Sequence, residues 1–259
     1  MAARLLVGGQ DKTLVLTLSD PESRNALGPD IYAAGVEALN AAETNRDVRA
    51  VIITGEGSTF CAGGNLNRLL GNRQQDPHVQ ANSIEAFNTW VECIRNFPKP
   101  VIAAVEGAAA GAGASVALAC DLLVAADDAF LVMAYANVGL SPDGGGAWSL
   151  AHSLPRATLM QMLMLGERMS AKRLHELGVV SHLSASGQAL TVALNLAAKL
   201  TDRAPNVMAS LKELTNDAIS LSLNQHLQAE RDHFVRNLHH ANGGEGIQSF
   251  LEKRPALYR

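Results

Sequence analysis

Three glycine-rich loops, two of them directly behind a short apolar run, limit the folds open to this chain more than any other feature of its sequence. The first is GEGSTFCAGGNL at 55–66, the second EGAAAGAGAS at 106–115 and the third GLSPDGGGAW at 139–148. Glycine and alanine at a strand-to-helix turn let a ligand approach the main chain. Unpaired N–H groups at a helix N-terminus then point at whatever negative charge sits there. For any one loop, small residues that simply let strand and helix pack closely explain the composition equally well. Three in succession favour a site, and two lying side by side could hold an oxyanion.

The runs at 13–18, 50–54 and 101–105 are short, rich in β-branched residues and bounded by turn residues, so they read as strands, continued by 122–125 and 129–132. Between them, 29–42 starts with Pro29 at a first-turn position, and 84–96 repeats Ile84, Phe87, Val91 and Ile94 at helical spacing. Strands alternating with helices predict an α/β fold. From about Arg156 the pattern turns helical, with Ser170 as a cap before 171–177 and a long helix over 221–237. The polar stretch 71–81, GNRQQDPHVQA, reads as a mobile or ligand-covering loop.

Composition excludes several classes. With 47% hydrophobic and 18% charged residues in 259, the chain can bury a core of ordinary size. Its uncharged runs at 107–120 and 129–142 fall short of the roughly 20 residues a spanning helix needs. A net charge of −4 offers nucleic acid no general attraction. The first residues contain no apolar export segment, and Cys61, Cys93 and Cys120 form neither a CxxC pair nor an even set, so we expect a cytoplasmic protein with reduced thiols. The eight histidines lack ligand spacing, His239 and His240 included, and no metal is expected.

Two motif readings of the second loop fail. Gly111 and Gly113 have no third glycine for a dinucleotide fingerprint and no acidic residue about 20 positions on. Around Ser115 the last glycine of a nucleophile elbow is missing, which leaves a serine hydrolase only weakly supported.

The strings SRNAL (23–27), FCAGGNL (60–66), KPVIAAVEG (99–107), Gly111-Ala112-Gly113, Cys120-Asp121 and FLEK (250–253), in this order and spacing, resemble the crotonase (enoyl-CoA hydratase/isomerase) family from about residue 10 to the C-terminus. The resemblance implies a spiral of repeated ββα units with a C-terminal helical region. It divides the chain into a core at 1–200 holding the site and a helical assembly region at 201–259. It also implies an acyl-coenzyme A thioester as substrate, coenzyme A being part of the substrate rather than a cofactor, and a homo-oligomer, a trimer or dimer of trimers. By motif position the backbone N–H groups of Gly64 and Ala112 form the oxyanion hole, Ala112 standing where glycine is usual. Arg24, Ala26 and Ala62 fall on substrate-binding positions, and Phe250 and Lys253 on a motif that reaches a neighbouring subunit's coenzyme A. Asn65 replaces a frequent aspartate, and Trp148 is expected to pack in the core rather than line the acyl pocket.

Hydratases of the family carry two glutamates, which here fall on Ser115 and Tyr135, neither of them a carboxylate base. The remaining acid is Asp143, where isomerases and a dehalogenase branch place an aspartate; on local grounds it also reads as a helix cap after Pro142. One carboxylate suits double-bond migration, because the acid formed by removing a proton from one carbon is the acid needed to protonate another. These residues therefore point to an enoyl-CoA isomerase of the family's isomerase-like branch with Asp143 as proton shuttle. The alternatives are a hydratase using Asp143, a non-catalytic acyl-CoA binding subunit, and a dehalogenase with Asp143 as nucleophile.

Overall fold

The computed structural model describes residues 3–259. The chain opens on a hairpin of β1 (Arg4–Gln10) and β2 (Thr13–Ser19), and β2 then pairs in parallel with β3 (Ala50–Gly55). The sheet grows in parallel through β4 (Val101–Val105), β6 (Leu122–Ala126) and β9 (His182–Ser184), six strands with β1 as the antiparallel edge. A second sheet joins β5 (Ala108–Ala110), β7 (Phe130–Val132) and β8 (Arg168–Ser170).

The central strands are apolar along their whole length because helices cover both faces, as expected of a buried parallel sheet. On one face, Val51, Ile53, Ala103 and Val105 meet α1 (Pro29–Thr44), α3 (Pro77–Asn96) and α4 (Ala112–Ala119). On the other, α8 (Ala189–Thr201) lays Ala189, Ala193 and Ala197, four residues apart, onto Ala50, Ile52, Ile102 and Ala104. Gly35 of α1 leaves the space that the Trp90 indole of α3 occupies, and Tyr32 and Phe87 pack beside it with ring centroids 5.0 Å apart.

Four strands of the large sheet, β2, β3, β4 and β6, are each followed by a short extended segment and then a helix. β4 leads through β5 to α4, and β6 leads through β7 towards α5 (Gly146–Ala151). The same unit is present in reduced form earlier: Cys61 bridges Ala109 in parallel, and Leu27 bridges Gly64. The extended segments at Leu27, 61–64, β5 and β7 therefore stack in order, which makes the chain a spiral and brings the loops of successive turns together. Beyond the core run α6 (Arg156–Leu165), α7 (Ala171–Glu176), α9 (Pro205–Asp217), α10 (Leu223–Leu238) and α11 (Ala241–Leu251). Lys212 docks α9 to the core, donating to Asp121 and to the Ile94 carbonyl, both at 2.9 Å.

Two expectations need correction. The segment 71–81 is mostly helix: α2 (Leu66–Asn72) ends there and α3 begins at Pro77, capped by Asp76, whose side chain accepts from the His78 N–H at 2.9 Å. Cap and first-turn proline outweigh the polar composition, and the helix starts seven residues before Ile84. Trp148 is 44% exposed rather than packed in the core, with the Arg95 guanidinium 4.4 Å from its ring centroid. A cation–π contact explains how the indole holds its place at the surface.

Candidate active site

The site starts from two glycine-rich loops bonded edge to edge. The Cys61 N–H donates to the Ala108 carbonyl at 3.0 Å and the Ala110 N–H returns to the Cys61 carbonyl at 2.9 Å. Gly63, at φ 92, sits so close that a Cβ there would lie 2.7 Å from the Ala110 oxygen and 3.4 Å from the Ala112 nitrogen. Gly63, and the Gly64 that follows it, are thus held against the Ala112 main chain. Neither the Gly64 nor the Ala112 N–H donates a loop or turn hydrogen bond among the described residues. Ala112 is the first residue of α4, behind Gly111 at φ 50, so its amide lies at the positive end of a helix whose residues are uncharged and mostly buried.

A third segment joins from the previous turn. The Ala62 N–H donates to the Arg24 carbonyl at 2.9 Å, and the Leu27 N–H to the Gly63 carbonyl at 2.8 Å. Arg24 is exposed and left-handed at φ 56, while Ala26 is buried beside it. Asn25 fastens this turn: its amide donates to the Glu56 and Thr59 carbonyls at 2.9 and 2.7 Å, and its oxygen accepts from the Asp20 N–H at 3.0 Å. Asn65 caps α2, accepting from the Arg68 N–H at 3.1 Å.

Asp143 arrives from the third loop. It does not cap α5, where Gly145 takes that position; its carboxylate Oδ1 accepts from the Tyr135 hydroxyl at 2.7 Å. The Ser115 hydroxyl donates to the Asp143 carbonyl at 2.9 Å. The Tyr135 ring lies against the second loop, since a Cβ on Gly111 would be 3.6 Å from its Cζ. Asp143 therefore stands one tyrosine ring away from the Ala112 amide.

Burial pushes the Asp143 carboxyl above the usual carboxylate range, opposed by the Tyr135 hydrogen bond and the charge of Arg68. Burial also raises Tyr135, with the Asp143 charge adding to it, so its hydroxyl stays a donor. Tyr32 is pushed up to about 12 by burial, against the pull of Arg68. The Cys61 thiol, buried and raised to about 12, is inert packing between the loops.

Phe250 and Lys253 are not brought to this cluster. Both lie exposed at the end of α11, Phe250 at 83%, with no hydrogen bond or ion pair to the loops among the described residues. Sequence reasoning missed Arg68, Tyr32 and Asn25. Only Asn25 carried a local signal, an asparagine in a turn, where left-handed backbone is common. Beneath Gly144 and Gly145, Trp148 and α3 residues Val91, Glu92 and Arg95 line a recess of about 280 Å³.

Residues 8–259 match the family model described as enoyl-CoA hydratase/isomerase. Over 246 residues the chain is 36% identical to the 1,2-epoxyphenylacetyl-CoA isomerase of Escherichia coli (strain K12), covering 93% of this chain and 92% of that protein. Over 252 residues it is 32% identical to the 2,3-dehydroadipyl-CoA hydratase of the same organism, covering 97% of each. Among solved structures, an enoyl-CoA hydratase from Polaromonas sp. JS666 superposes with a TM-score of 0.98 at 63% identity, covering 98% of this chain and 99% of that one. The spiral of strand–strand–helix turns, its stacked glycine loops and these matches together place the chain in the enoyl-CoA hydratase/isomerase, or crotonase, family.

Proposed function

We propose that this protein is an enoyl-CoA isomerase that moves a carbon–carbon double bond by way of an enolate. The observation that carries the reading is that Asp143 holds a carboxylate beside the paired loops, while positions 115 and 135 offer only hydroxyls, Tyr135 bound to the carboxylate and Ser115 to the main-chain oxygen of the same residue. On a 3-enoyl thioester, the Asp143 carboxylate takes a proton from the carbon next to the carbonyl. The electron pair moves through the carbonyl to its oxygen, and the N–H groups of Gly64 and Ala112 receive the charge. The protonated Asp143 then delivers its proton two carbons further along, and the double bond settles in conjugation with the thioester. Donors already aimed at the oxyanion make the first step feasible, each worth about 10²–10³ in rate.

Arg24, Ala26 and Ala62, joined by the Ala62–Arg24 hydrogen bond, form the wall where we place coenzyme A. Phe250 and Lys253 would serve a neighbouring copy's substrate. In this reading residues 1–200 hold the chemistry and 201–259 the assembly surface, whose exposed Leu223, Leu227, Phe234 and Leu251 suit a homo-oligomer, a trimer or dimer of trimers. The likeness to a relative named for a ring-derived thioester supports acyl groups that contain a ring.

The test is conversion of 3-enoyl-CoA to 2-enoyl-CoA by the wild type and by Asp143→Asn. Loss of the acid–base group is expected to cost about 10²–10⁴ in kcat. Activity within a few-fold of wild type would refute the assignment. A hydratase reading is favoured by the name of the Polaromonas structure; appearance of a 3-hydroxyacyl product from 2-enoyl-CoA, abolished by the same substitution, would select it.

A further inference from the structure

Two hydroxyls converge on one acid. Tyr135 donates to Oδ1 of Asp143 at 2.7 Å, Ser115 donates to the main-chain oxygen of the same residue at 2.9 Å, and the Ser115 hydroxyl also lies beside that of Tyr135. Besides Tyr135, the main-chain N–H of Asp143 itself also bonds to the carboxylate. The packing leaves Ser115 little freedom, since a Cβ on Gly146 would lie 2.5 Å from its Oγ. The loop itself has three glycines at positive φ, Gly139, Gly144 and Gly145, with Gly144 packed against the Phe87 ring.

We propose that Tyr135 and Ser115 are positioning residues that hold Asp143 with carboxylate Oδ1 bound by the Tyr135 hydroxyl, so that the other oxygen exchanges hydrogen with the acyl carbons. The proposal rests on the isomerase reading. It gives a task to the two side chains that stand where hydratases of the family have glutamates: they no longer act as bases but hold the base. A single working oxygen also fits the reaction, because the proton it removes from one carbon remains on it for delivery to the next.

The groups facing Asp143 are few. They are Tyr135, Arg68 on α2 and Tyr32 on α1, with Glu92 and Arg95 of α3 lining the recess below Gly144 and Gly145. α4 and α5 contribute no titratable side chain. Tyr135 is thus the donor whose removal must be felt by the carboxylate, while Ser115, bonded to the main chain, controls placement without touching its charge.

The experiment compares Tyr135→Phe and Ser115→Ala. The Asp143 titration is followed by carbon NMR in aspartate-labelled protein, with Asp143→Asn assigning the signal. Tyr135→Phe is expected to raise the midpoint by about one pH unit, and to move the acid limb of kcat/KM on a 3-enoyl-CoA by the same amount. Ser115→Ala is expected to lower kcat by about tenfold with midpoint and limb unmoved, the mark of a displaced but chemically unchanged acid. A midpoint unmoved by Tyr135→Phe overturns the proposal, as does an equal shift in both variants. If Tyr135→Phe does not fold, 3-fluorotyrosine at 135, a stronger donor, must lower the midpoint, and a constant or raised value overturns the proposal. A wild type without turnover on 3-enoyl-CoA defeats the isomerase reading instead, and the NMR titration still decides whether Tyr135 binds the carboxylate.

Discussion

Replacing Ala112 with proline would remove one hydrogen-bond donor and very little else. Ala112 is the first residue of α4, where a helix has no internal partner for the N–H and proline's fixed φ is already suitable. The preceding Gly111 has φ 50 and ψ −122, the mirror image of the extended backbone that proline imposes on its predecessor, and only glycine takes it without penalty. Gly63 has no side chain to collide with the new ring, the space beside the Ala112 nitrogen being free of a Cβ. We therefore expect a stability change under about 1 kcal/mol, or about 2–4 °C in Tm for a chain of this size. Catalysis should suffer far more. Losing one oxyanion donor costs about 2.7–4 kcal/mol, a fall of about 10²–10³ in kcat, and the ring carbon displacing the hydrogen can only add to it. The assay is isomerisation of a 3-enoyl-CoA, followed by the appearance of the conjugated thioester, with Ala112→Gly as the control that keeps the amide and should stay within a few-fold of wild type. A folded proline variant with activity within tenfold of wild type would show that this amide does not hold the acyl oxygen.

Other substitutions follow from the same geometry. Because burial raises the Asp143 carboxyl and the first step needs its charged form, kcat/KM should fall tenfold per pH unit below a midpoint that lies above the ordinary aspartate value; a limb at or below that value contradicts this. Gly113→Ala should lower stability by about 1–3 kcal/mol, although alanine is the better helix former, because the new Cβ would lie 2.6 Å from that of Cys61. A rise in Tm would show that the loops can move apart freely. Asn25→Ala leaves the Glu56 and Thr59 carbonyls without their donor and puts alanine at φ 59, so urea unfolding should report a loss of about 2–4 kcal/mol, and a loss under about 1 kcal/mol would refute the fastening role.

Much of the framework was legible in the chain, for identifiable reasons. Strands β3 and β4 announce themselves because helices cover both their faces, which leaves unbroken runs such as AVIITG and VIAAV. The glycine loops were legible because main-chain approach demands small residues whatever the ligand. β5, β8 and β9, three residues each, were missed, since so short a stretch shows no periodicity and exists only through its partners in the stack. β1 was missed for a different reason: an edge strand reading RLLVGGQ is interrupted by glycine and mostly exposed. At the site, Asp143, Tyr135 and Ser115 were named together only through the family resemblance. The bonds that join them were not legible, because Tyr135 lies 8 residues from Asp143 and Ser115 lies 28, and only folding brings their hydroxyls onto the same residue. Arg68 was hidden likewise, being one more basic residue on a short helix until Tyr32 and Asp143 are seen around it.

The amides of Gly64 and Ala112 belong to the polypeptide itself, whereas the acid is a side chain on a separate, tethered bend. A backbone N–H survives every substitution at 64 or 112 except proline, so the donors at these two positions do not depend on which side chains stand there. The acid and its tethers are side chains, and each of them is lost by a single replacement at 143, 135 or 115.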